Sequence, residues 1–297
     1  MRPPLVVGPL TLHWGRQSYI MGIINTTPDS FSGDGLLNQA ATVEAALTQA
    51  RRFVAEGAHI LDVGGESTRP GSVPVSADEE MDRVLPVIRA ISNELAVAIS
   101  IDSYHAEVAE AALAAGAHML NDVWGARMDP RMAALAAERG VPIVLMHNRM
   151  RPKQVSQEER LGGRFEGVQY DDLLGDVARE LIASVEIVRG AGVRSEQIIL
   201  DPGLGFGKTV PQSLELLDRL NELRVLGYPI LLGPSRKSFI GYTLDLPPQA
   251  RVEGTAATVA IGIARGADIL RVHDVQAMAR VARMTDAIIR RSRKESA

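Results

Sequence analysis

The stretch AISIDSYHAEVAEAALAAGAHMLND, residues 98–122, contains the repeating unit that decides the fold. A short apolar run ends in Asp102, a helix-length amphipathic stretch follows, and a second apolar run ends in Asn121 and Asp122. Nearly continuous apolar runs are typical of parallel strands that are covered on both faces. The unit therefore predicts two parallel strands joined by a helix.

The same unit recurs along the chain. The strand-like runs are 19–24, 58–63, 97–102, 118–122, 141–147, 197–201, 229–233 and 268–272. The helical stretches are 42–56, 78–95, 106–115, 132–139, 173–189, 213–226, 254–265 and 275–290. This alternation predicts an α/β protein with a TIM (β/α)8 barrel. Because the C-terminal ends of barrel strands meet at one mouth, polar residues scattered from 25 to 273 can share one site.

The N-terminal residues, about 4–14, have a different pattern. Apolar residues alternate in Leu5–Val7 and Leu10–Trp14, and Gly8 and Pro9 interrupt them. This predicts a β-hairpin that plugs the bottom of the barrel. No linker divides the chain, so we expect one domain over 1–297, with the barrel over about 19–292. No apolar run has the length of a signal peptide or a membrane span, and we expect a cytoplasmic protein.

The composition excludes several classes of function. Hydrophobic residues make up 46% of the 297 residues, which allows a large core. Aromatic residues make up 4%, and the formal net charge is -4. Both values argue against nucleic acid or an anionic membrane as the partner. The chain has no cysteine, which excludes disulfides, thiolate zinc sites and a cysteine nucleophile.

Three polar segments are too long to be simple turns: 26–38, 64–77 and 148–170. Long loops in a compact domain are usually lids or binding loops. In the second segment, Gly64 and Gly65 suit a nest of backbone amides, and Thr68 and Arg69 offer a hydroxyl and a bidentate cation. Taken alone, each segment is also compatible with surface decoration.

Polar residues at the strand ends are the candidate ligand contacts. Asn25 ends the first strand, and its amide oxygen suits Mg²⁺ that is held mainly by substrate phosphates. Asp102, Asn121 and Asp201 end three further strands. Each one alone is also a reasonable helix cap. Together they suit a ligand edge that is rich in N–H donors, such as that of a pterin.

The stretch DPGLGFGKT, residues 201–209, superficially resembles a phosphate-binding P-loop. The pattern fails, because Pro202 stands where the first glycine is needed. We interpret it as a flexible loop that places Phe206 over a ligand ring.

Positive charge follows the last two strands. Residues 235–238 read SRKS, and Arg271 and His273 lie two residues apart, so they point to the same side of a strand. Loops at this position commonly bind phosphate in barrel enzymes. The spacing does not decide whether Arg236 or Lys237 faces the site, and a solvated basic edge is the alternative interpretation.

These segments resemble the dihydropteroate synthase family. The matching motifs, in the family's order from about residue 19 to 275, are NTTPDSFS, DVGGESTRPGS, SIDSYHAEVAEAAL, LNDV, DPGLGFGK, SRKSFIG and RVHDV. The resemblance implies a Mg²⁺-dependent transferase of folate biosynthesis. 6-Hydroxymethyl-7,8-dihydropterin diphosphate and 4-aminobenzoate would give 7,8-dihydropteroate and diphosphate.

The resemblance also implies roles for individual residues. Asn25 would bind Mg²⁺, and Thr68 would lie beside the diphosphate. The pterin diphosphate would contact Asp102, Asn121, Met146, Asp201, Lys237, Arg271 and His273, of which Asp102, Lys237, Arg271 and His273 would be catalytic. The aminobenzoate site would be formed by Phe31, Arg69, Pro70, Phe206 and Ser238, with Ser238 opening a helix whose N-terminal amides suit a carboxylate.

Further expectations come from the same resemblance. It implies a homodimer through the late helices and competition by sulfonamides at the aminobenzoate site. An arylamine is neutral at pH 7, so we expect no strong general base. The chain departs from the family in residues 147–169, which are charged and glycine-bearing, and at Thr26.

Two alternatives stay open at this point. A methyltetrahydrofolate-dependent methyltransferase would use similar Asp and Asn contacts, but it has no use for a diphosphate clamp. A non-catalytic pterin-binding paralogue would keep Asp102, Asn121 and Asp201 and lose Asn25, Lys237 or Arg271, all of which are present.

Overall fold

The computed structural model describes residues 2–27, 39–67, 75–150, 155–166 and 168–290. Its centre is a sheet of eight parallel strands, each close to a predicted one. They are β3 (Tyr19–Asn25), β4 (Ile60–Gly64), β5 (Ala98–Asp102), β6 (Met119–Asp122), β7 (Ile143–Met146), β10 (Ile198–Asp201), β11 (Leu231–Leu232) and β12 (Ile269–Val272). Two antiparallel hairpins lie outside this sheet, β1 (Leu5–Val7) with β2 (Leu10–Leu12) and β8 (Val155–Ser156) with β9 (Arg164–Phe165).

The eight strands run in the order β10-β7-β6-β5-β4-β3-β12-β11. The two outermost strands of this order meet at a parallel bridge between Leu200 and Ile230, which closes the sheet into a barrel. The predicted TIM barrel is therefore confirmed. The register places Gly64 beside Asp102 and Asp102 beside Asn121, so these strand ends are neighbours at one rim.

Nine α-helices lie in the described ranges, and eight of them follow predicted stretches. They are α1 (Gln39–Glu56), α2 (Ala77–Glu94), α3 (Ala106–Ala114), α4 (Arg131–Arg139), α5 (Leu173–Gly190), α6 (Val210–Asp218), α7 (Ser238–Leu244), α8 (Val252–Ala264) and α9 (Val275–Ile289). The predicted helix over 213–226 is two elements, because α6 ends at Asp218 and a 3-10 helix covers Leu220–Leu226. Arg219 between them has φ -96° and ψ 14°, which is not α-helical.

The N-terminal hairpin closes one end of the barrel, as predicted. Leu5 pairs with Leu12 across the hairpin, and both side chains are buried. These two leucines belong to an apolar cluster that also includes at least one residue from each of the eight barrel strands. The cluster consists of Leu5, Val7, Leu12, Trp14, Tyr19, Met21, Ile60, Ala98, Met119, Val144, Ile199, Leu231 and Ile269. We call this cluster the bottom layer. It removes water from that end of the barrel.

A polar layer of side chains lies directly above the bottom layer, two residues further along the strands. Side chains at i and i+2 point to the same face of a strand. Ile60 is therefore followed on the same face by Asp62, Met119 by Asn121, and Ile269 by Arg271. Polar groups thus begin directly above the apolar plug, at the C-terminal ends of the strands. Among the described residues, no helix combines the length and apolar character that crossing a membrane requires.

Candidate active site

Arg271 forms the centre of the polar layer. Its Nε lies 2.5 Å from Asp62 Oδ2, and its Nη2 lies 2.5 Å from Asp102 Oδ2. Asn121 Nδ2 donates to the same Asp62 oxygen over 3.1 Å. The four side chains come from β12, β4, β5 and β6, so the barrel brings together residues that are as far apart as 62 and 271 in sequence. The convergence that the strand ends predicted is present.

The charges of this cluster affect one another. Burial raises the pKa of Asp102 to about 7, although the positive charge of Arg271 opposes the shift. Burial also disfavours the charged form of Arg271, but the charges of Asp62 and Asp102 outweigh it and raise the pKa of that guanidinium. Arg271 is therefore a permanent cation, whereas Asp102 changes protonation near neutral pH.

Asp201 and Lys237 form a second part of the mouth. Asp201 Oδ1 accepts from the backbone N–H of Gly203 over 2.7 Å. Lys237 Nζ donates to the carbonyl of Leu204 and lies 4.4 Å from the centroid of the Phe206 ring. Burial lowers the pKa of Lys237 to about 8, against the opposing charge of Asp201. The Phe206 ring thus covers the Lys237 side chain at the mouth. The predicted contact between Phe206 and a ligand ring stays a prediction.

The structure decides between Arg236 and Lys237, which the spacing left open. Arg236 Nε and Nη2 lie 2.9 and 2.5 Å from the two carboxylate oxygens of Asp274. Lys237 instead interacts with the charge of Asp201 and with the 201–206 loop. Lys237 is the residue that faces the site.

His273, Ser238 and Met146 complete the described part of the mouth. The Nδ1 of His273 lies 3.0 Å from Ser235 Oγ, which fixes the ring. Ser238 is the first residue of α7, as predicted. Met146 ends β7 and pairs in register with Asp201. Phe31, Thr68, Arg69 and Pro70 lie outside the described residues.

Asn25 fits the role of a magnesium ligand. It ends β3 beside Gly64, and no hydrogen bond joins its side-chain amide to another residue in the described ranges. One neutral oxygen together with phosphate oxygens and waters is a usual way to bind this cation. A separate group with metal-ligand spacing, Glu66, Glu80 and His105, does not include Asn25. Its members are already bonded internally, because His105 Nδ1 lies 2.9 Å from Glu80 Oε2.

Sequence reasoning assigned no role to two buried charged residues here, although Asp62 was recognised as a polar strand end. Asp62 is fully buried and accepts from both Asn121 and Arg271, while its Oδ1 accepts no hydrogen bond from the described residues. Its position after the run HIL was a usable signal. Lys208 is 2% exposed and lies 2.8 Å from His147 Nδ1. The sequence offered no comparable signal for Lys208, because a lysine in a glycine-rich loop is usually solvated.

Comparisons with known proteins agree with this geometry. The family model described as pterin binding enzyme matches residues 21–273. The dihydropteroate synthase of Bacillus subtilis (strain 168) is 50% identical over 281 residues, which are 95% of this chain and 92% of that protein.

Solved structures of the same kind superpose over nearly the whole chain. The Clostridium difficile dihydropteroate synthase, solved in the presence of pteroic acid, has a TM-score of 0.86 and 47% identity, and the match covers 94% of this chain and 99% of that one. The Xanthomonas albilineans enzyme with 4-aminobenzoic acid has a TM-score of 0.86 and 38% identity, with 97% and 98% covered. With the mouth described above, these matches show that the chain belongs to the pterin-binding enzymes and, within them, to the dihydropteroate synthase family.

Proposed function

We propose that the chain condenses 6-hydroxymethyl-7,8-dihydropterin diphosphate with 4-aminobenzoate, which gives 7,8-dihydropteroate and diphosphate. The observation that carries the proposal is the Arg271 cluster, in which one guanidinium joins Asp62 and Asp102 at the mouth of the barrel. The family relationship supports the same reaction and favours it over the methyltransferase alternative.

The acceptors at the mouth suit a pterin. Asp102 uses Oδ2 for Arg271 and Asp201 uses Oδ1 for Gly203, so each carboxylate keeps one oxygen for a ligand N–H. Asn121 adds an amide between them in the register of the sheet. A buried site that hydrogen-bonds a ligand edge in this way rejects analogues without it, because its polar groups would be left unpaired. Asp102, Asn121 and Asp201 would therefore select the pterin ring.

The charges of the mouth are already paired within the chain. Arg271 contacts Asp62 and Asp102, and the charge of Lys237 interacts with that of Asp201. A diphosphate therefore brings negative charge that these side chains do not fully offset, which supports a requirement for a divalent cation. Asn25 would hold Mg²⁺, and the ion would supply positive charge on the departing diphosphate. Thr68 would provide a further contact on that side.

The reaction needs charge stabilisation more than proton transfer. C–O cleavage at the pterin methylene leaves positive charge on the dihydropterin and negative charge on the diphosphate. Asp102 lies on the ring side, and Arg271 and His273 lie on the diphosphate side. Arg271 Nη1 has no partner among the described residues, so it can contact the diphosphate while Nε and Nη2 hold the carboxylates. Lys237 would contact the pterin oxygen and ring.

Aminobenzoate would bind at the outer edge of the mouth. Phe206 is partly exposed there, and Ser238 opens α7, whose N-terminal amides suit a carboxylate. Phe31, Arg69 and Pro70 would complete this subsite. Because these residues belong to the long loops, we expect aminobenzoate to bind only after the pterin and diphosphate. The same subsite would bind sulfonamides.

The exposed apolar residues of the last two helices support a homodimer. Ile261 on α8 and Met284 and Ile289 on α9 are 47%, 64% and 44% exposed, and the two helices pack against each other. Exposed apolar side chains clustered on neighbouring helices are typical of an oligomer interface. We also propose that residues 1–297 form one domain. A cytoplasmic location stays a prediction.

The direct test is product formation from the two purified substrates. We expect dihydropteroate and diphosphate to form in equal amounts with Mg²⁺ and to fall at least about ten-fold with a chelator. Excess Mg²⁺ added after the chelator is the control and should restore the rate. Binding of the pterin substrate with no product under any of these conditions would favour the non-catalytic paralogue.

A further inference from the structure

Lys208 is a buried lysine that the proposed mechanism does not use. It lies in the loop between β10 and α6, and the residue is 2% exposed. Nζ lies within hydrogen-bond distance of three groups: His147 Nδ1 at 2.8 Å, the Gly203 carbonyl at 2.9 Å and the Phe206 carbonyl at 3.1 Å. A buried polar group that has a full set of hydrogen-bond partners is held in one place.

Lys208 Nζ and His147 Nδ1 form one hydrogen bond of 2.8 Å. His147 Nε2 lies 3.0 Å from Glu180 Oε2, but it forms no hydrogen bond with the described residues. Burial, followed by the nearby charge of Lys208, lowers the pKa of His147 to about 3 and keeps the imidazole neutral. Burial also lowers the pKa of Lys208, although the charge of Asp201 opposes that shift. The carbonyls of Gly203 and Phe206 both accept N–H groups of Nζ, so the side-chain nitrogen joins them to His147.

The loop around Lys208 leaves no room for an alternative arrangement. Gly203 and Gly207 have φ of +68° and +59°, and a Cβ at these positions would lie 2.0 Å from the His147 oxygen and 2.5 Å from the Arg149 carbonyl carbon. The loop backbone is therefore pressed against residues 147–149. The N–H of Phe206 donates to the Gly203 carbonyl over 3.1 Å, and Lys208 Nζ donates to the carbonyls at both ends of this turn.

The 203–206 turn contacts several residues of the mouth. Gly203 donates its N–H to Asp201, and the Leu204 carbonyl accepts from Lys237. The Phe206 ring lies 4.4 Å from Lys237 Nζ. Each of these contacts depends on the path of residues 203–206. A shift of about 1 Å in such positioning groups can reduce a rate about 10²-fold.

The residues that pack against this loop are also held by hydrogen bonds and ring contacts. Arg149 Nε donates to Glu180 over 2.7 Å, and its guanidinium lies 4.2 Å from the Tyr170 ring centroid. The Tyr170 hydroxyl donates to the Gly207 carbonyl over 2.8 Å. Glu180 lies on α5, and its Oε2 is 3.0 Å from His147 Nε2. The loop thus contacts His147 next to this helix through Lys208 and is bound to Tyr170 at Gly207.

We propose that Lys208 is a positioning residue for the reaction: its side-chain nitrogen ties the 203–206 turn to His147 and so sets Asp201, Lys237 and Phe206 for both substrates. The inference rests on the proposed function. It adds a residue that touches neither substrate and acts through the loop.

The test compares Lys208→Met with wild type in the product assay, at a temperature well below both melting temperatures. We expect kcat to fall about 10²-fold and the KM values of both the pterin substrate and aminobenzoate to rise. A control is Asp286→Asn at the bottom of the barrel, where Asp286 accepts from the backbone N–H and the hydroxyl of Ser18 over 2.6 and 2.9 Å. That variant should lower the melting temperature and leave kcat and both KM values within about two-fold.

Two results would overturn the inference. One is a Lys208→Met enzyme whose melting temperature falls while kcat and both KM values stay within about two-fold of wild type. If Lys208→Met does not fold, His147→Leu removes one acceptor and keeps both carbonyl contacts. We expect this variant to lose about ten-fold in kcat. Unchanged kinetics would count equally against the proposed role of Lys208. A wild-type protein without turnover would instead refute the proposed function.

Discussion

The two ends of the barrel are built from the same eight strands, yet their polar groups differ in whether they have hydrogen-bond partners within the chain. At the bottom, Asp268 accepts from the Ile230 N–H and pairs with Arg2, both over 3.0 Å. Asp286 likewise accepts from the backbone N–H and the hydroxyl of Ser18. At the mouth, Arg271 Nη1, Asp62 Oδ1 and the Asn25 amide have no hydrogen-bond partner among the described residues. Polar groups at the bottom are therefore satisfied within the chain, whereas those at the mouth are left for a ligand.

The difference indicates where substitutions should affect catalysis and where they should affect stability. A change at the mouth removes interactions that develop in the transition state, so it should reduce turnover. A change at the bottom removes buried apolar area, so it should reduce the free energy of unfolding. The predictions below test this division.

The largest effect is expected for Arg271→Ala. It removes the cation that holds Asp62 and Asp102 and that we propose to contact the diphosphate, and kcat/KM for the pterin substrate should fall about 10²–10³-fold. The matched control is Arg236→Ala, because Arg236 is paired with Asp274 and does not face the site. Steady-state kinetics of both variants, with their melting curves, are the measurement. Similar losses in the two variants would contradict a specific role for Arg271.

A smaller effect is expected from pH. Because burial raises the pKa of Asp102 to about 7, kcat/KM for the pterin substrate should drop about five-fold between pH 7 and pH 6 as the acceptor is protonated. Stability responds with the opposite sign: a carboxyl with a raised pKa binds more protons when folded, so its contribution to stability decreases as pH rises towards about 7. A flat kinetic profile across neutral pH would show that Asp102 is ionised throughout.

The smallest effect on turnover is expected for Leu12→Ala at the bottom. Leu12 is fully buried in the plug, and its truncation should lower the free energy of unfolding by about 2–5 kcal/mol. At 25 °C, kcat should stay within about two-fold of wild type, because the bottom layer does not contact the substrates. Denaturant unfolding and the product assay measure the two quantities. A loss of kcat without a loss of stability would show that the two ends are coupled.

Much of this division was predictable from sequence. The strand ends at Asn25, Asp102, Asn121, Asp201 and Arg271 were predicted because nearly continuous apolar runs mark buried parallel strands and a barrel gathers their C-terminal ends. The hairpin plug was predicted from the alternation in Leu5–Val7 and Leu10–Trp14. These features depend on local pattern and on a common fold.

The remainder depends on contacts between distant residues. The choice between Arg236 and Lys237 is decided by the position of Asp274, which is 38 residues away from Arg236. The burial of Lys208 is decided by His147, 61 residues away. The split after Asp218 depends on the conformation of Arg219, which local propensity does not specify. Sequence spacing does not predict these three features, because each feature depends on how the helices, strands and loops pack.

Two glycines at the rim determine how much volume a ligand has. A methyl group at Gly64 would lie 3.4 Å from the Asp102 Cβ, and one at Gly233 would lie 3.8 Å from the Arg271 Cβ, both ordinary contacts. Alanine would therefore fit at either position, whereas any bulkier side chain would occupy space beside Asp102 and Arg271, which we propose to contact the pterin diphosphate. Graded enlargement at 64 and 233 thus offers a way to narrow the range of heterocycles that the cavity accepts while leaving every charged group in place.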